Sequence, residues 1–185
     1  MADVTAQLGE HRVVPVVVID DAARAGAVAD ALVAGGLPVA EVTFRTAAAA
    51  EALRTMATRD DLLVGAGTVI TAEQIEQAVA AGARFIVSPG LSRAVVRRAA
   101  ELDVPVFPGV ATASEVMAAL DEGVSTVKFL PAETSGGVAA VKALAGPFPQ
   151  VRFVPTGGIK AANALDYLAL PAVVAVGGSW MVPAA

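Results

Sequence analysis

The chain has 185 residues, a formal net charge of −5 and no cysteine. An acidic balance without any basic run argues against nucleic acid as a partner. The lack of cysteine excludes disulfides, thiolate metal ligands and a cysteine nucleophile. With 56% hydrophobic and 17% charged residues, the chain can bury one sizeable core, and we expect a single domain over 1–185.

The N-terminal stretch MADVTAQLGEHR lacks the basic-then-apolar pattern of a secretion signal and predicts a short leading helix. No apolar run reaches the roughly 18 residues of a membrane span. A cytoplasmic protein without membrane contact is expected.

Eight short runs rich in β-branched residues follow: VVPVVVI (13–19), VAEVTF (39–44), LLVGAGTV (62–69), RFIVSPG (84–90), VPVFPGV (104–110), TVKFLP (126–131), VRFVPTGG (151–158) and VVAVGGS (173–179). Each has the length of a strand. The segments between them read as amphipathic helices, most clearly DDAARAGAVADALVAGG, TAEQIEQAVAAGA and TASEVMAALDEG. Asp or Thr stands at several helix starts and Gly at several ends, as caps require. Strict alternation of strand and helix implies βαβ units and a parallel sheet. Eight such units predict a (β/α)8 TIM barrel, near the short end of the range for that fold. A doubly wound dinucleotide fold would carry G-x-G-x-x-G after its first strand. The segment after Ile19 is DDAARAG, and GAGTVI (65–70) has only two of the glycines, after the third strand.

Strand interiors of a parallel barrel should be nearly all apolar. Polar residues instead collect toward the C-terminal ends of the runs: Glu41, Thr43, Arg45, Thr68, Ser88, Lys128, Thr156 and Ser179. Barrel enzymes build their sites at that end. Alternation puts Glu41, Thr43 and Arg45 on one face. Lys128 sits inside the apolar run VKFLP, where lysine is almost never found without a partner or a task. An inward Lys128 can meet Glu41 and Arg45 at the barrel mouth, while Phe129 points the other way into the core. The plain reading is a structural Glu–Arg–Lys ion network, yet such networks often fail to offset their own desolvation. The chemical reading is that an amine taken from water beside another cation loses its proton more readily and attacks a ketone to form a Schiff base. Arg45 can grip a carboxylate with its planar fork, and Glu41 can carry protons.

Two glycine pairs follow, in TGGI (156–159) and GGSW (177–180). They serve tight turns, or they free backbone amides for a phosphate. The loops after strands seven and eight are the recurrent phosphate site of barrels, and Ser179 adds a hydroxyl. His11 is the only histidine, so a Ser–His relay and a histidine metal cluster are both excluded. Asp20 and Asp21 read as a helix cap, and no metal site is expected. Asp121 and Glu122 read as solvated charge at a helix end. Trp180 is expected to pack beside the phosphate loop.

The stretches VVPVVVID, EVTFRT, VGAGTV, FIVSPG, PVFPGVAT, VKFLPAE, ALAGPFPQVRFVPTGGI and AVGGSWMVP run in order over nearly the whole chain. In them the sequence resembles the 2-keto-3-deoxy-6-phosphogluconate (KDPG) aldolases, which overlap with the 4-hydroxy-2-oxoglutarate (KHG) aldolases. The resemblance implies a class I aldolase that needs no cofactor or metal. It also implies a homotrimer acting on a small phosphorylated keto acid. By resemblance, Lys128 forms the imine and Glu41 is the general acid/base. Arg45 and Thr68 hold the pyruvate carboxylate region, Pro89 lines that pocket, and Thr156 lies beside the imine. Gly157, Gly158 and Ser179 match the phosphate-binding positions. Arg45 and Thr156 favour the gluconate branch over the 2-keto-3-deoxy-6-phosphogalactonate aldolases. Relatives continue past the VPA stretch into a final helix, which is expected to be absent here.

Two readings from other classes stand beside this one. A phosphosugar isomerase or epimerase would share the phosphate loops but not need Lys128 as a nucleophile. A non-catalytic barrel scaffold could dispense with the polar residues at the mouth.

Overall fold

The computed structural model describes residues 4–182. The leading helix predicted from sequence is α1 (Val4–His11). Its Val4 and Leu8, one turn apart, bury against Val14, Val39, Leu63, Phe85 and Phe107. α1 thus seals the lower interior of the sheet beneath the functional end.

Strands and helices then alternate. β1 (Val13–Val17) leads through a short 3-10 turn (Ala22–Arg24) to α2 (Ala25–Ala34). β2 (Val39–Thr43), α3 (Ala49–Met56), β3 (Leu63–Gly67), α4 (Ala72–Ala80), β4 (Ile86–Val87) and α5 (Arg93–Glu101) follow. β5 (Val106–Phe107) and β6 (Gly109–Val110) precede α6 (Ala113–Asp121). The chain goes on through β7 (Thr126–Phe129), α7 (Gly137–Ala145), β8 (Arg152–Pro155), α8 (Ala164–Leu168) and β9 (Val176–Gly178). A six-stranded sheet in the order β5-β4-β3-β2-β1-β9 curls into a half-barrel, and β6-β7-β8 form a second sheet. Every ladder is parallel.

The strands are shorter than the runs that announce them. Their C-terminal ends leave the extended conformation to build loops: Thr68 has φ 57°, and Gly157 and Gly158 have φ 98° and 80°. The 104–110 run is split at Pro108, which has no N–H to give to a ladder.

Side-chain alternation divides the core. Ala40 and Val42 of β2, Val64 and Ala66 of β3 and Ile86 of β4 face outward, onto Ala29 and Leu32 of α2, Leu53 and Met56 of α3 and Ile75 of α4. Val127 and Phe129 of β7 face a second helical layer containing Val116, Val141 and Tyr167. Val39 and Glu41, like Lys128, take the opposite parity and point inward. The outward orientation expected of Phe129 is therefore found.

Helix starts follow the cap signals. Thr71, Ser92 and Thr112 accept backbone N–H groups at the starts of α4, α5 and α6, and Asp21 caps the 3-10 turn. Thr112 and Glu115 form a complete capping box, and the Glu115 carboxylate is held below its usual range, first by the Ala111 N–H. Thr112→Ala should lower stability by about 1 kcal/mol and the melting temperature by about 2–4 °C, read by calorimetry. The lowered carboxylate means that the Glu115 contribution is present at neutral pH. It is lost as pH falls through the Glu115 value.

One expectation is corrected. Glu122 is not solvated: its side chain is only 10% exposed, and it pairs with Arg97 at 2.8 Å and Arg93 at 3.2 Å. Both arginines lie on α5, so the acid at the end of α6 ties two neighbouring helices together. Among the described residues no helix is long and apolar enough to cross a membrane. The expectation of a missing final helix falls on the end of the chain, outside the described residues.

Candidate active site

Lys128 is the third residue of β7 and is 5% exposed. Its neighbours in register are Gly109 on β6 and Val154 on β8. From this position Nζ donates to Glu41 Oε1 at 3.1 Å, with Oε2 at 3.5 Å. Glu41 lies in β2, with Val16 and Gly65 as its register neighbours, and is 3% exposed. Among the ion pairs of the described residues, this one is buried on both sides, at 6% and 4% side-chain exposure. The others leave at least one partner substantially in water.

Lys128 forms part of the floor of a cleft of about 230 Å³. Arg45, Thr68 and Pro89 line it from the loops after β2, β3 and β4. Gly157, Gly158 and Ser179 line it from the loops after β8 and β9, and Thr156 stands beside them. The fold therefore gathers the predicted site residues along one opening, with a single exception. Glu41 is not among the residues that line the cleft; it is buried beside the lysine and in direct contact with it.

The local geometry explains each placement. Arg45 is exposed and anchored by Nε donating to Thr68 Oγ1 at 3.0 Å. Thr68 holds its hydroxyl there because its backbone turns into the left-handed region. Thr43 shares the inward parity of Glu41, but its hydroxyl donates to the Val17 carbonyl at 3.2 Å, which joins β2 to β1. Thr156 is buried, and its backbone N–H bonds to Phe129 O at 2.9 Å, holding β8 against the lysine strand. Trp180 lies against Gly178: a Cβ there would fall 1.8 Å from the indole ring. The tryptophan thus packs beside the glycine pair, as its position in sequence suggested. His11 ends α1 and lines no part of the cleft.

Several participants escaped sequence reasoning. Val16, Val18, Leu130 and Ile159 supply apolar walls and look like ordinary core residues in the sequence. Gly67, at the end of β3, carries a stronger constraint. A Cβ at this position would sit 2.2 Å from Glu41 Oε1 and 2.5 Å from Glu41 Cγ. The space that the carboxylate occupies exists only because residue 67 has no side chain. Its signal was the GAG triplet inside the third run, which reads first as a turn or nucleotide loop.

Chemically, the arrangement offers an amine shielded from bulk water, a carboxylate in direct contact with it, a guanidinium–hydroxyl pair on one flank and a glycine-rich loop on the other. Among the described residues no group of three or more His, Cys, Asp or Glu could hold a metal ion.

Comparison with known proteins places these features. Residues 4–185 match the family model described as aldolase, KDPG and KHG. The KHG/KDPG aldolase of Escherichia coli strain K12 is 50% identical over 173 residues, covering 93% of this chain and 81% of that protein. The crystal structure of the KDPG aldolase of Zymomonas mobilis ZM4 with 3-phosphoglycerate superposes with a TM-score of 0.94 at 47% identity. That match covers 98% of this chain and 87% of the other. The KDPG aldolase of Legionella pneumophila, with pyruvate captured as a covalent carbinolamine intermediate, gives 0.93 at 47% identity, covering 97% and 88%. A buried lysine–glutamate pair under a glycine-rimmed cleft thus lies in a chain that belongs to the KDPG and KHG aldolase family.

Proposed function

We propose that this protein is a class I aldolase that cleaves 2-keto-3-deoxy-6-phosphogluconate to pyruvate and glyceraldehyde 3-phosphate. The observation that carries this reading is the Lys128–Glu41 contact of 3.1 Å beneath the cleft. A lysine–glutamate pair that served only stability could be replaced as a whole by apolar residues at little cost. A lysine that attacks a ketone needs burial, access to a cleft and a proton carrier within reach.

In the proposed cycle Lys128 Nζ attacks C2 of the substrate, and the carbinolamine loses water, with Glu41 moving the protons. The resulting iminium is the electron sink. The C4 hydroxyl gives up its proton to Glu41 or a water it holds, the C3–C4 bond breaks, and its electron pair passes into the iminium. Glyceraldehyde 3-phosphate leaves. The remaining enamine is protonated at C3 and hydrolysed to pyruvate, freeing Lys128. Arg45, held by Thr68, grips the carboxylate, and Pro89 walls that end. Thr156 stands beside the imine. Gly157, Gly158 and Ser179 receive the phosphate with backbone amides and a hydroxyl.

Cleavage of 4-hydroxy-2-oxoglutarate needs the same imine but no phosphate grip, so the same site can support it. The reading extends to a single closed (β/α)8 barrel, with β5 and β6 as one strand interrupted at Pro108. The bridges Phe153–Val173 and Thr156–Gly177 support closure between β8 and β9. A cytoplasmic homotrimer is proposed on family likeness alone.

The test is borohydride reduction in the presence of pyruvate, followed by peptide mass spectrometry. A reduced pyruvyl adduct on Lys128 is expected. An adduct elsewhere, or none on folded protein, would overturn the assignment. Turnover retained in Lys128→Ala would point instead to an isomerase.

A further inference from the structure

Glu133 closes the VKFLPAE stretch, five residues beyond the reactive lysine, and nothing in the proposed cycle uses it. Its backbone N–H donates to the Gly157 carbonyl at 3.1 Å, next to the bond from Ala132 N–H to the Thr156 carbonyl at 2.8 Å. Its side-chain stem lies directly on the second loop glycine. A Cβ on Gly158 would stand 2.5 Å from Glu133 Cγ and 2.7 Å from Glu133 Cβ. Residue 158 is therefore glycine for two reasons, its positive φ and the glutamate stem pressed against it.

The carboxylate itself is turned away toward α8. Tyr167, wholly buried on that helix, donates its hydroxyl to Glu133 Oε1. Burial first, and then this bond, push the tyrosine above its ordinary range, so it stays a donor at working pH. On the other side of the loop, Asn163 Nδ2 donates to the Gly158 carbonyl at 3.3 Å, while Asn163 Oδ1 accepts from Lys160 N–H at 2.8 Å. The glycine pair is thus held between the segment after β7 and the start of α8.

We propose that Glu133 and Tyr167 are positioning residues for the phosphorylated end of the substrate: together they hold the Gly157–Gly158 loop in its receiving shape and keep the Glu133 charge off the bound anion. This rests on the reading of that loop as a phosphate site. Without the tyrosine hydroxyl, an exposed carboxylate beside the loop is free to swing toward the phosphate, where like charges repel. The chemistry at Lys128 is untouched, because the strut meets the loop and not the amine.

The test uses Tyr167→Phe, Glu133→Ala and Glu133→Gln. Removing one hydroxyl oxygen leaves the buried ring in place and hands an exposed carboxylate to water, so Tyr167→Phe should keep its fold, checked by circular dichroism. Tyr167→Phe and Glu133→Ala should each raise KM for the phosphorylated substrate by about tenfold with kcat within about twofold. Inorganic phosphate, as a competitive inhibitor, should weaken in proportion. Borohydride trapping of pyruvate, which has no phosphate, should proceed at the unaltered rate. Glu133→Gln keeps an acceptor for the tyrosine and should behave as the parent. An unchanged KM in Tyr167→Phe, or an equal loss in phosphate-dependent and pyruvate assays, overturns the proposal. Failure of phosphate to inhibit the parent protein at all would instead overturn the phosphate reading, and the proposal with it.

Discussion

Lys128→Met should abolish cleavage, lowering kcat by about four orders of magnitude or more, as loss of a covalent nucleophile does. It should also destabilise the fold by about 3–5 kcal/mol, because Glu41 would be left charged and unpaired in a buried position. Both effects would be expected of a structural ion pair as well, since an unfolded enzyme is inactive. The double variant Glu41→Met with Lys128→Met separates the two. Replacing a whole buried pair by apolar residues of similar shape is often neutral, so the melting temperature should recover most of its loss. Turnover should not recover at all. A double variant that regains both stability and activity would reduce the pair to a packing feature and sink the aldolase mechanism.

Gly67→Ala should displace the Glu41 carboxylate and lower the rate of cleavage. The new Cβ would lie 2.2 Å from Glu41 Oε1, a separation no real contact tolerates, so the carboxylate must shift by about 1 Å. A displacement of that size in a reacting group can cost about 10²-fold in rate. Overpacking at a buried strand position should cost about 1–3 kcal/mol in stability. Steady-state kinetics and a denaturant melt on the same sample would give both figures. The rate should fall while the borohydride adduct on Lys128 still forms, though more slowly, because the amine itself is not displaced. Full activity in Gly67→Ala would mean that the position of Glu41 is immaterial and would remove it from the proton-transfer role.

The two predictions share a cause that the folded chain makes visible. Glu41 and Lys128 are 87 residues apart in sequence, and nothing local brings them together. Their meeting depends on β2 and β7 both pointing inward, and on a neighbouring strand that leaves room for the carboxylate at Gly67. In the proposed cycle the paired residues, and not the cleft lining alone, carry the chemistry. This accounts for Glu41 being essential to the reading while lining no part of the opening.

Much of this was legible in the chain itself. A two-residue period distinguishes Lys128 from Phe129 as firmly as any structure, because neighbouring side chains on a strand must take opposite faces. Alternating runs and capped helices imply a parallel sheet, since parallel strands need a crossover between them. Polar residues at the run ends identify the functional end, because a strand buried on both faces has no other place for them. The glycines of TGGI mark a turn, since both stand at positive φ.

Other features waited for the tertiary structure. Strand ends cannot be read from composition where the same apolar residues continue into loops that wall the cleft, as Leu130 and Ile159 do. Glu122 reads as a solvated charge because its arginine partners stand on the preceding helix, 25 and 29 residues earlier. The need for glycine at position 67 is set by a glutamate on the neighbouring strand, and the direction of the Glu133 carboxylate by a tyrosine 34 residues later. The sequence by itself determined the order of elements, the face of each strand and which polar residues stand at the strand ends, all of which follow from local periodicity and residue chemistry. Only the tertiary structure decided which of those groups touch. Contact between distant residues depends on register and packing across strands, and no local pattern along the chain records it.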